Sequence, residues 1–316
     1  MDRMPPEDSR PPNRSAADAL RPAGSTASNV WGRFRHHPGA VAGAIVLGLL
    51  VLSSSLAFLS PYDPEASEID VRLAAPSLEH PTGTDALGRD LLTRLVYGGR
   101  ISLSVGIMVV IIALVVGIPI GAVAGYFGGW VDDVLMRITD AALSLPALLV
   151  LILLSAFLRE LDLPILHSNS VLTIALVIGS LSWMTVARLV RASYLTIREL
   201  EFITAARCLG APNLRIMVRH ILPNAVGPII VEATLEVGYA IMEESGLSFL
   251  GFGIQPPTPS WGNLLSDAQE HLTLHPWLAI FPGLMIFLAI ISVNYIGDGM
   301  RDAFDPYRVL KKVGEV

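Results

Sequence analysis

Four carboxylates are the side chains best placed to do chemistry. Glu232, Glu236, Glu243 and Glu244 all fall within VEATLEVGYAIMEESGLSFLGFG, an otherwise apolar stretch. At about 100° per residue, the first three project within an arc of ~40° on a helix, with Glu244 to one side. Carboxylates inside a bilayer are costly and normally face a bundle interior or a watery cavity. Such a row either lines a path for a solute or relays protons; the plainer alternative is acids near a helix end that are only solvated. Asp267, His271 and His275 recur every four residues in SDAQEHLTLH. That spacing could bring three ligand-capable side chains to one helix face. Histidines near a membrane interface serve as well as ordinary hydrogen-bonded residues, and no metal is assigned to them.

Other chemistry is missing. The two lysines, Lys311 and Lys312, follow no glycine-rich turn, so neither forms a phosphate-binding P-loop. There is no His-Glu-x-x-His and no Gly-x-Ser-x-Gly, and with Cys208 as the single cysteine no internal disulfide forms. No catalytic constellation and no bound cofactor are expected.

The elements that must position the acids are membrane spans. The 316 residues are 52% hydrophobic and only 16% charged, where soluble domains run near 25% charged. Six apolar runs approach the ~20 residues that cross a bilayer: 39–60, 101–124, 141–158, 171–190, 226–252 and 276–295. An all-α, polytopic membrane protein with six transmembrane helices follows, and six spans leave little chain for a soluble domain. Basic residues near spans stay in the cytoplasm. With the N-terminus inside, the inner segments carry six, one, six and four basic residues, against four, one and none outside. Both termini are therefore expected to be cytoplasmic. Residues 1–30 have the composition of a disordered tail, and 311–316 form a short C-terminal one. A region of over 30 residues before the first run, and that run's 22-residue length, argue against a cleaved signal peptide.

Between spans four and five lies an arginine-rich loop, RLVRASYLTIRELEFITAARCLGAPNLRIMVRHILP (188–223). From Asn213, Leu214, Met217, Val218, Ile221 and Leu222 form an i, i+3, i+4, i+7, i+8 stripe, with Arg215 and Arg219 off it. Gly210 suits a sharp turn and Pro212 a helix start; Pro223-Asn224 then bends the chain into span five. A short amphipathic helix along the cytoplasmic face fits. Periodicity alone divides evenly between a lipid-surface anchor and a seat for another protein.

Three smaller patterns carry expectations. In GTDALGRDLLTRLVY (83–97), Asp90 reaches Arg94 at i,i+4 if that stretch is helical; the stretch either orders the entry to span two or receives an external partner. Gly117, Gly121 and Gly125, with Pro119 among them, offer a face for close helix approach, within this subunit or at a subunit or gating contact. On the short loop 128–140, Asp133 and Arg137 are expected to pair.

Taken together, the motifs resemble the permease subunits of ABC importers for peptides and nickel, specifically the C-type dipeptide/oligopeptide permease. RHHPGAVAGAIVLGLLVL, HPTGTDALGRDLLTRLVYGGRISL, FITAARCLGAPNLRIMVRHILPN, SGLSFLGFGIQPPTPSWGNLL and GDGMRDAFDPY (297–307) carry the likeness. It covers nearly everything after residue 30. The resemblance implies a non-enzymatic subunit of the bacterial inner membrane: residues 31–96 hold the first span and the outer segment, and 97–310 the five-helix core. Its coupling loop, 191–223, docks on an ATPase through Thr204, Ala205, Ala206, Gly210, Arg215, Arg219, Leu222 and Pro223. Thr204 stands where the family often has Glu, and His220 where the general motif has isoleucine. Implied partners are a second permease subunit, two cytoplasmic ATPases holding ATP-Mg, and an extracytoplasmic substrate-binding protein; no nucleic acid is implied. Two alternatives stand beside it: a proton-coupled transporter using Glu232, Glu236 and Glu243, and an exporter of the same architecture.

Overall fold

A computed structural model of the protein describes residues 26–161 and 170–304. Most of the expected N-terminal tail, all of 311–316 and the lysines lie outside these residues. Among the described residues the regular structure is helical, apart from one isolated antiparallel bridge between Thr84 and Asp90. The helices are α1 Thr26–Arg35, α2 Pro38–Ser55, α3 Leu91–Phe127, α4 Gly129–Leu143, α5 Ala147–Glu160, α6 Ser170–Ile197, α7 Glu201–Cys208, α8 Asn213–Phe249, α9 Trp261–Asp267 and α10 Trp277–Phe304. Five of them, α2, α3, α6, α8 and α10, are long and apolar enough to cross a membrane.

The third apolar run is not one helix. Pro146 stops it, and α4 and α5 meet there at 87°. Proline disfavours helical backbone in the residue before it and supplies no N–H. The chain nonetheless returns across the bundle here, because α3 and α6 run parallel. Gly117 faces Trp183 and Val186, Gly121 faces Ala187 and Val190, and Gly125 faces Arg191 and Tyr194. With the bent pair taken as one span, six crossings result.

The glycine stripe therefore packs within the subunit. A Cβ on Gly121 would stand 2.3 Å from the Ala187 carbonyl oxygen, and one on Gly125 2.6 Å from Tyr194 Cβ. Small residues of this kind let apolar helices touch where lipid supplies no hydrophobic drive. The α2–α10 pair is equally close: a Cβ on Gly43 would meet the Ser292 carbonyl at 2.6 Å.

Several local pairings differ from the sequence expectation. The Asp90 carboxylate does not pair with the Arg94 guanidinium, which goes to Asp85. Asp90 caps α3, accepting from the Thr93 N–H and hydroxyl at 2.7 Å each, and lies 2.9 Å from His80 Nδ1. Asp133 and Arg137 do not pair among the described residues. Asp132 instead accepts from Arg191, at 2.6 Å for Nη2, and Asp140 from Arg188. Both arginines stand on α6, so α4 is tied sideways to a neighbour rather than along its own axis.

The loop before span five differs most. No separate helix begins at Asn213 and ends at Pro223; α8 runs unbroken from Asn213 to Phe249, with a π segment at Ile216–Ile221. Pro223 lies in the first turn after that segment, where the wider winding leaves room for a residue without an N–H. The register moves with it: Ile216, Met217 and Ile221 are buried, whereas Leu214 and Val218 face outward. The 3.6-residue period placed two residues of the stripe on the wrong face because i→i+5 winding advances each turn by an extra residue.

Candidate functional site

The residues with functional potential gather at three levels of the bundle. At the end where α6, α7 and α8 join, a knot of buried contacts holds a short exposed helix. Ile203 of α7 is fully buried with Tyr126, Val190, Tyr194, Ile216, Met217 and Ile221. Tyr194 donates its hydroxyl to the Met217 carbonyl at 2.9 Å, and Tyr126 donates to Asn213 Oδ1 at 2.8 Å. Arg198 donates to the Gly125 carbonyl at 2.8 Å, and the Arg207 guanidinium lies 5.5 Å from the centre of the Tyr126 ring. These ties leave the opposite face in the open. Phe202, Thr204, Ala205, Leu209, Gly210, Leu214, Arg215, Val218, Arg219 and Pro223 are exposed, while Ala206 and Leu222 are half-buried. Gly210 ends α7 with φ +78°, its N–H on the Arg207 carbonyl at 2.9 Å. Positive φ is the conformation glycine adopts without strain. A Cβ there would meet nothing within 4 Å among the described residues. The result is a surface of apolar residues and arginines on both sides of Gly210, carried by α7 and the start of α8.

In the middle of α8 the four carboxylates separate. Glu236 is buried, and Glu232 and Glu243 are half-buried. Glu244 is wholly enclosed on the side facing α3, accepting from Ser102 at 2.9 Å and from Ser248 at 2.7 Å.

At the opposite end, residues 61–90 and 250–276 build a lobe around buried charge. Asp85 accepts from the N–H groups of Leu87 and Arg89 at 2.8 and 3.0 Å, from Arg89 Nε at 2.7 Å and from Arg94 Nη1. Burial pushes the Asp85 carboxyl up, but Arg94, the Arg89 N–H and charge, and the Leu87 N–H together hold it below its ordinary value. Asp267 stands 3.8 Å from both arginines and stays partly exposed. There burial outweighs the attraction of Arg94 and Arg89 and leaves the carboxyl raised. Arg94 itself is fully enclosed, and its Nε and Nη2 have no hydrogen-bond partner among the described residues. Asp267 therefore turns toward the arginines and not to His271 and His275, whose rings sit edge to face at 6.3 Å. Among the described residues no three acids, histidines or cysteines are placed to hold a metal ion. Sequence reasoning missed this network; the signal was two arginines and an aspartate close to a span, where unpaired charge is not tolerated.

Comparison with known proteins closes the question of kinship. Residues 117–309 match the family model described as the inner membrane component of binding-protein-dependent transport systems, and residues 25–76 match the N-terminal transmembrane domain of oligopeptide transport permease C. The chain belongs to this permease family. It is 40% identical over 307 residues to the dipeptide transport system permease protein DppC of Alkalihalophilus pseudofirmus, covering 96% of each chain. It is also 40% identical over 277 residues to the oligopeptide permease OppC of Haemophilus influenzae, covering 87% of this chain and 86% of that one. The glutathione permease GsiD of Pectobacterium atrosepticum is 38% identical over 278 residues, 87% of this chain and 89% of its own. The permease is thus a multi-pass inner-membrane component of the peptide ABC transporter class, and the resemblance drawn from its motifs holds across the chain.

Proposed function

We propose that this permease forms half of the translocation pathway of an ATP-driven importer for peptides or a related small solute, nickel chelates included. It works with a second permease subunit, two ATPases that bind ATP-Mg, and an extracytoplasmic binding protein. The family and the names of the relatives support that assignment. One structural observation carries the coupling: much of the surface of Phe202–Pro223 is exposed, part apolar and part arginine, yet its base is tied down by hydrogen bonds from Tyr126, Tyr194 and Arg198. Ordering such a surface without a partner serves no packing purpose. ATP-driven movement of the ATPases would push on α7, and α8 would carry that push along its whole length past Glu232, Glu236 and Glu243. These three acids line the path in this reading, whereas Glu244 leaves it. Both termini lie on the ATPase side.

Gly210 provides the test. Gly210→Ala and Gly210→Trp impose the same positive-φ strain, about 1 kcal/mol, and the Cβ they share meets nothing within 4 Å among the described residues. If the surface seats an ATPase, tagged wild type and Gly210→Ala retain ATPase subunits in mild detergent, and Gly210→Trp loses them. Equal retention by both variants, or ATP-independent transport by the chain alone after reconstitution, would sink the reading.

A further inference from the structure

Glu244 has no task in that pathway, but its surroundings assign it one. Both of its oxygens accept from serine hydroxyls, and each serine oxygen in turn accepts a backbone N–H of the 250–261 loop. On one side the chain of bonds runs from the Trp261 N–H to Ser102 Oγ (3.3 Å) and from that hydroxyl to Glu244 Oε2 (2.9 Å). On the other it runs from the Ile254 N–H to Ser248 Oγ (3.0 Å) and on to Glu244 Oε1 (2.7 Å). One carboxyl thereby joins α3, α8 and the loop that leads into α9.

Close packing surrounds this junction. A Cβ on Gly99 would stand 2.8 Å from the Trp261 ring, one on Gly98 3.2 Å from the Ser260 backbone, and one on Gly262 2.6 Å from Ser245 Cα. Trp261 is buried and donates its indole N–H to the Leu95 carbonyl at 2.9 Å. Asn263 and Ser260 close a capping box at the start of α9. The same α9 ends in Asp267, which faces Arg89 of the lobe and Arg94 in the first turn of α3.

We infer that Glu244 is a transmission pin: it locks the far end of α8, the start of α3 and the 250–267 segment into one body, so that movement of α8 reaches the outer lobe and the reverse. A wholly enclosed carboxyl with two donors is costly to strip of them, so the junction stays closed as the bundle moves, and rearrangement takes place around it. Glu244 is here a positioning residue that touches no solute. The inference rests on the proposed coupling through α7 and α8.

The test uses the assembled transporter in nanodiscs with its ATPases and binding protein. Wild type must first show ATP hydrolysis stimulated by the binding protein; its absence there would fail the importer reading itself and not the pin. Given stimulation, Glu244→Ala is expected to assemble, hydrolyse ATP at the basal rate and lose most of the stimulation. Exchange of the Ile254 and Trp261 amides should rise roughly tenfold, as expected when buried hydrogen bonds are lost. Glu244→Gln, which keeps one acceptor, should restore part of both. Stimulation equal to wild type in Glu244→Ala would overturn the pin. Should Glu244→Ala fail to assemble, Ser102→Ala decides: it removes one donor without changing charge, and unaltered stimulation there would overturn the inference equally.

Discussion

Replacing Asp85 with alanine should unseat the outer lobe. Arg94 is completely enclosed, and Asp85 is the carboxylate bonded directly to it; Asp267 stands farther off at 3.8 Å. Removing one member of a buried pair costs about 3–5 kcal/mol, because the other charge stays buried without compensation. Asp267 would offset part of this, which favours the lower end, about 3 kcal/mol. That is roughly two orders of magnitude in the folded-to-unfolded ratio. Taking the ~2–4 °C per kcal/mol of 150–250-residue domains, the melting temperature should fall by about 6–12 °C. Asp85→Asn keeps an acceptor for the Leu87 and Arg89 amides and should fall between. The assay is thermal unfolding in detergent, read as the fraction surviving size exclusion. A double variant, Asp85→Ala with Arg94→Met, should recover much of the loss, since apolar replacement of a buried ion pair is often neutral. The reasoning fails if Asp85→Ala melts within about 1 °C of wild type, or if the double variant is no better than the single one.

Other consequences can be checked on the same preparation. Because the folded Asp85 carboxyl is held below its ordinary 3.8, its contribution is complete above that pH and is lost as pH falls through the lowered value. Lobe amides at Leu87 and Arg89, corrected for intrinsic exchange, should stay protected from pH 8 to about 5; loss of protection already near pH 6 would contradict the assignment. Ile216→Asp buries an unpaired carboxylate and should cost several kcal/mol and most of the folded yield, whereas Leu214→Asp should change stability by less than about 0.5 kcal/mol. Reversal of that order would refute the π register. Gly121→Leu should abolish the α3–α6 contact and the monodisperse peak. Gly48→Ala, whose Cβ meets nothing within 4 Å among the described residues, should be neutral or raise stability by up to about 1 kcal/mol.

Much of the architecture was legible because the spans obey a one-dimensional rule. A helix crossing lipid needs ~20 apolar residues whatever its neighbours are, and five of the six runs became long helices. The break between α7 and α8 was legible for a related reason: Gly210, followed by Pro212, marks a turn between helices, and Gly210 takes positive φ there. The failures share a cause. Asp90 with Arg94, and Asp133 with Arg137, are sound i,i+4 pairs, yet Asp90 takes His80 and Thr93 while Arg94 takes Asp85, and on α4 it is Asp132 and Asp140 that find arginines on α6. The π segment likewise appears only when Ile216, Met217 and Ile221 are seen enclosed by Tyr126, Tyr194 and Ile203.

The sequence by itself determined that the chain lives in a membrane, which stretches cross it, which family it belongs to, and which acids share a helix face. Those properties depend on composition and local period, and both are written along the chain. Only the tertiary structure decided which charges meet. Arg191 finds Asp132 across 59 residues, and Glu244 finds Ser102 across 142. A buried charge takes the partner whose geometry is best, and that geometry exists only once helices distant in sequence have packed.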